Sequence, residues 1–200
     1  MAFLRTSFAQ DIVPIVRGGA LYLRPPMTSD YSDWAELRAA SREHLKPFEP
    51  TWPRDDLTRG AFRRRIRHYQ KELRDDLGVS FFIFRQDDDA LIGGVTLSNI
   101  RRGVTQAVSL GYWTGRPFVR QGHMTRAVSL VVGFAFDDLR LHRIEAACLP
   151  NNAASVRVLE RNGFQREGIA RRYLRINGEW QDHLQFALLW EDARPAVELA

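Results

Sequence analysis

An apolar strand, a basic loop with a glycine and a long apolar helix follow one another between residues 110 and 139. The strand pattern ends near Trp113, the loop contains Arg120 and Gly122, and the helix pattern continues from Thr125. A helix that is apolar nearly all round must be buried on several sides. Another strand pattern, over residues 143–149, follows this helix, so the sequence predicts a parallel strand–helix–strand crossover.

Antiparallel strands are predicted on both sides of this crossover. Residues 20–190 are expected to form one domain, which lies between an N-terminal arm (1–19) and a C-terminal tail (191–200). Helical patterns cover residues 28–41, 55–77 (ended by Gly78) and 153–161. The strand patterns lie at residues 20–24, 79–85, 90–100 and 105–113 before the crossover, and at 166–176 and 181–190, joined around Asn177-Gly178, after it. The predicted fold class is therefore α/β (α+β): a mixed, mostly antiparallel twisted sheet of about seven strands, with helices on both faces.

Composition narrows the class of protein. The chain of 200 residues is 44% hydrophobic and 26% charged, as in soluble globular domains, with a formal charge of +5 that favours anionic ligands. Its one cysteine, Cys148, lies in an apolar strand pattern and is expected to be a buried thiol. The sequence shows no metal-ligand spacing, secretion leader or membrane-spanning run. We therefore expect a cytoplasmic enzyme or binding domain that uses no metal and no membrane.

The loop before the long helix is a candidate anion site. A helix start leaves backbone N–H groups without intrahelical partners and carries the positive end of the helix dipole. Together with Arg120, those groups suit a diphosphate, and Gly122 would let the phosphate approach the backbone. The alternative is an ordinary helix start after a glycine.

Two further segments allow both a functional and a structural interpretation. The proline-rich segment 45–53 is either the wall of a substrate cleft, with Glu49 pointing into it, or a loop packed on the core. The arginine-rich helix predicted over residues 55–77 either contacts RNA phosphates or presents a solvated face, and the solvated face is the more common outcome for such a charge run.

The order of these motifs resembles the GNAT family of acetyl-CoA-dependent N-acetyltransferases, and within it the bacterial ribosomal-protein alanine N-terminal acetyltransferases. The resemblance covers about residues 20–190. The motifs that carry it are Leu-Lys-Pro-Phe-Glu-Pro (45–50), Leu-Ile-Gly-Gly-Val-Thr-Leu-Ser-Asn-Ile (91–100), Leu-Gly-Tyr-Trp (110–113), Gln-Gly-His-Met-Thr (121–125), Pro-Asn-Asn-Ala-Ala-Ser (150–155), Arg-Asn-Gly-Phe (161–164) and Asn-Gly-Glu-Trp-Gln-Asp-His (177–183).

The resemblance implies that acetyl-CoA is the co-substrate and that the two central parallel strands splay apart to admit its pantetheine arm. Gly122 occupies the family's invariant glycine position in the pyrophosphate loop. Val119 and Met124 depart from the usual Arg/Gln and small residue, and Met124 is bulky enough to narrow the site. The implied cofactor-binding residues are Leu110, Tyr112, Arg120, Gln121, Gly122, His123, Met124, Thr125 and Asn152, the last of which is also suited to cap the following helix.

The implied reaction is acyl transfer from a thioester to a neutral amine. Many family members protonate the leaving thiolate with a tyrosine at the position of Leu159, and Ser155 is the polar substitute here, with helix capping as its alternative role. A glutamate used as base in one subgroup is replaced by Ala147. The remaining candidates for the base are Glu49, Glu145 and His183.

The resulting prediction is an enzyme that acetylates the N-terminal α-amino group of a protein, such as a ribosomal protein. The alternatives are an acetyltransferase of a small amine, such as a polyamine or an antibiotic, and a CoA-binding or ribosome-associated module without turnover. Direct contact with nucleic acid is left open, as is the choice between a monomer and a homodimer.

Overall fold

The computed structural model describes residues 14–192, and these form one eight-stranded sheet with five α-helices. The strands lie in the order β1-β2-β3-β4-β5-β6-β8-β7, and only β5 and β6 are parallel. Their bounds are β1 Val16–Gly18, β2 Leu21–Arg24, β3 Gly78–Arg85, β4 Leu91–Arg101, β5 Ala107–Thr114, β6 Arg143–Cys148, β7 Gln165–Ile176 and β8 Glu179–Leu189.

The predicted fold class is confirmed, with one strand more than expected. The additional strand is β1, which pairs with β2 at the edge of the sheet. It lies within the segment predicted as the arm, whereas residues 1–13 and most of the predicted tail, 193–200, lie outside the described residues.

Helices cover both faces of the sheet, as predicted. They are α1 Tyr31–Ala40, α2 Arg42–Leu45, α3 Arg59–Arg74, α4 His123–Gly133 and α5 Ala153–Arg161. Helices α4 and α5 pack on one face, where Val128, Val131 and Leu159 are buried against β5 and β6. Helices α1 and α3 pack on the opposite face around Trp34 and Phe62. No helix within residues 14–192 is long and apolar enough to span a membrane.

The boundaries of the arginine-rich helix differ from the prediction. Helix α3 begins at Arg59, four residues later than expected, because the Thr58 side chain caps it by accepting a hydrogen bond from Ala61 N at 3.2 Å. Gly78 does not end this helix. The chain turns at Asp76, which has a φ of +54°, and Gly78 is the first residue of β3, where a Cβ atom would lie 2.9 Å from the carbonyl oxygen of Leu97.

The last two strands form the hairpin predicted from Asn177-Gly178, whose φ angles are +45° and +88°. The hairpin contains a bulge, because three residues of β7 (171–173) lie opposite Asp182 alone on β8. The Asp182 carboxylate accepts a hydrogen bond from Arg172 N at 2.8 Å and so holds the bulge in place. This hairpin brings its tip and the start of β8 beside the carboxyl end of β6.

Candidate active site

A gap opens in the middle of the sheet between β5 and β6. The two strands pair from Ala107 opposite Arg143 to Leu110 opposite Ala146, and the pairing stops there although both strands continue. Beyond Leu110, β5 is held only by β4, while β6 remains paired with β8 as far as Cys148. Backbone groups on the gap side of β5 are therefore available to an extended ligand that lies along the strand.

The start of α4 lies directly after the loop that follows β5. The first hydrogen bond of the helix runs from Arg126 N to the carbonyl of Gly122 at 3.1 Å, so the preceding N–H groups need partners from outside the helix. No described side chain caps this end. Gly122 has a φ of +79°, and a Cβ atom there would meet no other described atom within 4 Å. The amides thus face an open space that suits a phosphate, and Arg120 is exposed beside it.

The side chains of this loop hold its shape. Gln121 donates to the carbonyl of Pro117 at 2.9 Å and contacts His123 Nε2 at 3.1 Å. Burial lowers the pKa of His123, and the positive charges of Arg126 and Arg85 lower it further, so the ring is neutral near pH 7. Met124 is 7% exposed and packs in the core, so it does not narrow the loop as its size suggested.

Helix α5 starts beside the gap and supplies a second group of polar atoms. The Asn152 side chain caps the helix by accepting from Ser155 N at 3.1 Å, as its alternative role predicted. The Ser155 hydroxyl lies 2.7 Å from the hydroxyl of Tyr112, which projects from the unpaired part of β5. Leu159, at the position of the family's usual tyrosine, is 1% exposed and belongs to the core. A tyrosine hydroxyl is therefore present at this helix, but β5 supplies it.

The two ionisable groups next to Ser155 are the Tyr112 hydroxyl and the Cys148 thiol, and both are held in their protonated forms. Burial raises the pKa of Tyr112 far above its ordinary value, although the hydrogen bond with Ser155 opposes this rise. Burial likewise raises the pKa of the Cys148 thiol, again against the effect of Ser155. Two adjacent hydroxyls that keep their protons, those of Tyr112 and Ser155, are suited to donate hydrogen bonds to a developing anion.

Glu49 is part of a buried ion pair. Its two carboxylate oxygens accept from the two terminal nitrogens of Arg38, each at 2.7 Å, and Trp52 Nε1 donates to it at 2.7 Å. The Arg38 guanidinium is 6% exposed and lies 4.1 Å from the ring of Trp52 and 4.9 Å from the ring of Trp113. In this arrangement Glu49 holds the proline-rich segment to α1 and is not a free proton acceptor.

The other two candidates for the base are Glu145 and His183, and they differ in whether a cation engages them. Glu145 forms ion pairs with Arg101 and Arg143, so its carboxylate is also engaged. His183 has no charged partner among the described residues. Its Nδ1 lies 3.0 Å from the carbonyl of Gln181, which can only accept, so Nδ1 carries a proton. His183 is thus not engaged by a cation as the two glutamates are, but its ring is 3% exposed and does not line the cleft at the carboxyl end of β6.

A cleft of about 630 Å³ opens beyond the carboxyl end of β6. It lies between the loop after β6, the proline-rich segment and the β7–β8 hairpin. A main-chain bond from Asn177 N to the Glu49 carbonyl, at 2.9 Å, joins two of these walls. The lining residues are Pro47, Leu149, Pro150, Asn151, Arg172, Ile176, Asn177, Glu179, Trp180, Gln181 and Asp182, most of them exposed, so the cleft is open to solvent.

Sequence patterns gave no sign of three features of this region. Tyr112 was expected to bind the cofactor, and its hydrogen bond with Ser155 was not foreseen. Arg38, the partner of Glu49, was not among the candidate residues. Gln185, opposite Ala147, has a side-chain nitrogen that is buried without a hydrogen-bond partner among the described residues. The first two depend on tertiary contacts, and the third on burial, none of which a local sequence pattern contains.

The splayed parallel pair, the amide-lined helix start and the adjoining cleft define an acyltransferase that works with a CoA thioester. The sequence model of the acetyltransferase (GNAT) domain family matches residues 20–165, so the chain belongs to this family.

Three similar proteins agree with this assignment. A probable N-acetyltransferase of Bacillus subtilis, YjcK, is 41% identical over 89% of this chain and 98% of its own length. The [ribosomal protein uS5]-alanine N-acetyltransferase of Escherichia coli is 31% identical over 92% of this chain and 95% of its own. The structure of Mycobacterium smegmatis RimJ in complex with CoA-disulfide superposes with a TM-score of 0.83 at 31% identity, over 90% of this chain and 87% of that one.

Proposed function

We propose that this enzyme transfers the acetyl group of acetyl-CoA to the N-terminal α-amino group of a protein, and that its acceptors are ribosomal proteins. The observation that carries the proposal is the meeting of the β5–β6 gap with an open cleft at the carboxyl end of β6. The Escherichia coli relative that is named as a [ribosomal protein uS5]-alanine N-acetyltransferase supports the choice of acceptor.

Acetyl-CoA fits the residues around the gap. Its diphosphate would bind the amides at the start of α4, where Gly122 leaves room and Arg120 adds positive charge. Its pantetheine arm would lie along the unpaired side of β5, from Leu110 to Tyr112, with Asn152 across the gap. Most of this binding comes from the backbone, which explains why the departures at Val119 and Met124 are compatible with it.

Tyr112 and Ser155 are proposed to act together when the thiolate leaves. Attack by the amine on the thioester carbon forms the amide bond, breaks the carbon–sulfur bond and leaves a negative charge on sulfur. The Ser155 hydroxyl can donate a hydrogen bond to that sulfur while the Tyr112 hydroxyl, 2.7 Å away, donates one to Ser155, and the proton that the amine releases reaches the thiolate through solvent. Because a free thiol has a pKa of about 8.5, this hydrogen bonding lowers the barrier without being indispensable.

The shape and charge of the cleft favour a protein acceptor. Most of its lining residues are exposed, so a chain whose first residue enters the cleft can continue into solvent. The lining contains two carboxylates, Glu179 and Asp182, and one cation, Arg172, so the wall carries a net negative charge that attracts a terminal ammonium group. The amine must then lose a proton, and water can take it directly or pass it to His183, which follows the cleft residue Asp182 on β8.

Mass spectrometry on a panel of acceptors tests the proposal. The panel contains peptides that begin with alanine or serine, the same peptides with a blocked N-terminus and a lysine inside, polyamines and aminoglycosides. We expect acetylation of the free α-amino group and only trace reaction with the blocked peptides. Efficient turnover of the small amines alone would assign the cleft to a small-molecule acceptor. Binding of CoA without turnover of any amine would show a non-catalytic module.

A further inference from the structure

The positive charge of this chain is concentrated on one helix. Helix α3 contains seven basic residues and one acidic residue, a formal charge of +6, whereas the whole chain carries +5. The rest of the sequence therefore sums to −1. The helix lies outside the active-site region described above, and nothing in the acetyl transfer requires its charge.

Nearby carboxylates neutralise only part of this charge. Arg64 pairs with Asp55 at 2.6 Å, and Arg65 pairs with Asp56 at 2.7 Å. Lys71 lies 3.5 Å from Asp75. Within residues 14–192, no ion pair engages the remaining four basic residues of the helix, which are Arg59, Arg63, Arg67 and Arg74.

These four arginines form a row along the helix, hereafter the α3 arginine row. With 3.6 residues per turn they lie within about 40° of Arg63 around the axis, and at 1.5 Å per residue the row is about 22 Å long. All four are exposed, and Arg59 also lies over the ring of Tyr31 at 4.4 Å. A phosphodiester strand carries one charge per about 3.4 Å, so the row matches several successive phosphates.

The chemistry of the row fits a nucleic-acid backbone better than a membrane. Helices that bind in a membrane interface insert an apolar face, but Phe62 and Ile66 of α3 are 0% and 1% exposed in the core, and Leu73, at 37% exposure, is the one large aliphatic side chain of the helix that solvent reaches. Arginine binds phosphate through two parallel hydrogen bonds, and the row contains only arginine. No Phe, Tyr or Trp of the helix is exposed, and its exposed aromatic ring is that of His68, which lies 3.5 Å from Glu72, so the row favours contact with the backbone over stacking on bases.

We propose that the α3 arginine row binds the phosphate backbone of double-stranded RNA and so holds the enzyme near acceptors that are assembled on RNA. The phosphate contact follows from the charge distribution alone. The choice of RNA rests on the proposed ribosomal acceptor.

Binding of the full-length enzyme to a 20-bp RNA duplex, measured by fluorescence anisotropy between 50 and 300 mM salt, tests this. Four phosphate contacts predict a slope of about −3 to −4 for log K against log salt. The double variant Arg63→Glu/Arg67→Glu should flatten the slope by about 2 and lower affinity at least about tenfold. The matched control Arg140→Glu/Arg166→Glu changes charge equally at exposed arginines that no described carboxylate pairs.

The proposal predicts that the control variant binds RNA nearly as well as the wild type, and that both variants acetylate a free peptide at the wild-type rate. Equal loss of binding in both variants would show that net charge alone matters and would overturn the assignment to α3. No binding by the wild type, or equal affinity for a DNA duplex of the same length, would overturn the choice of RNA. Because peptide acetylation is measured separately, these results leave the proposed reaction untouched.

Discussion

Replacing Glu49 with glutamine distinguishes a structural carboxylate from a catalytic one. The change removes a charge but keeps the shape, so Arg38 would remain buried at 6% exposure without its counter-ion. Breaking a buried ion pair costs about 3–5 kcal/mol. Because the Glu49 side chain is 21% exposed and glutamine keeps one accepting oxygen, we expect the lower end, about 3 kcal/mol. For a chain of this length that lowers Tm by about 6–12 °C.

Thermal unfolding of the ligand-free enzyme, followed by circular dichroism, measures this effect. The matched comparison is the double variant Arg38→Met/Glu49→Leu, which removes both charges and should unfold closer to the wild type than Glu49→Gln does. The single variant should also raise KM for a peptide acceptor more than KM for acetyl-CoA, because the Glu49 carbonyl binds Asn177 at the wall of the cleft. A Tm within about 2 °C of the wild type, together with a large fall in kcat, would refute the structural role and restore Glu49 as the base.

Three further predictions concern the proposed site. Gly122→Glu should lower acetyl-CoA affinity at least about 100-fold, because the repulsion between the new carboxylate and the diphosphate costs several kcal/mol. The matched control is Gly103→Glu, at a glycine with a φ of +70° and open space around it, and calorimetry should show no such loss for this variant. Ser155→Ala and Tyr112→Phe should each slow thiol release without changing acetyl-CoA affinity, and the double variant should be no slower than the slower single one; additive losses in a colorimetric thiol assay would mean that the two hydroxyls act separately. His183→Gln should lower kcat by less than about tenfold at pH 8 and more at pH 6.5, and a loss beyond about 100-fold at pH 8 would show that a general base is obligatory.

The order of helices and strands was predictable because local sequence patterns determine it. The hydrophobic period, the glycine before α4 and the Asn177-Gly178 turn each specify structure over a few residues, and the structure confirms the sheet, the crossover and the hairpin. The errors lie at element ends. Helix α3 starts after the Thr58 cap, and Gly78 opens a strand because β4 approaches its backbone closely. The second cause is a tertiary contact that no local pattern contains.

Side-chain partners in the site were less predictable for the same reason. Tyr112 and Ser155 are 43 residues apart, and they meet because β5 and α5 border the same gap. The end of the β5–β6 pairing, which brings Tyr112 to the gap, is known only from the structure. Arg38 is buried on the same face of α1 as Trp34 and Leu37, and its helical spacing from Trp34 is the local pattern that could have indicated this burial.

The ion pairs that engage Glu49 and Glu145 also bear on which amines the enzyme acetylates. At pH 7 an α-amino group with a pKa of about 7.7–8.0 is roughly one-tenth to one-sixth neutral, whereas a lysine-like amine with a pKa of about 10.4 is neutral in roughly one molecule of 2,500. A site without a strong carboxylate base therefore reacts with α-amino groups some 200- to 400-fold more readily than with side-chain amines, before any contact with the rest of the acceptor. A free carboxylate base in the cleft would reduce that preference, because it would deprotonate either amine after binding. Arginines engage both Glu49 and Glu145. At the cleft wall, Asp182 accepts from Arg172 N and Glu179 accepts from the side chain of Gln181, so these two carboxylates are also hydrogen-bonded. We therefore infer that proton equilibria contribute to the proposed preference for protein N-termini, and that the open cleft distinguishes one terminus from another.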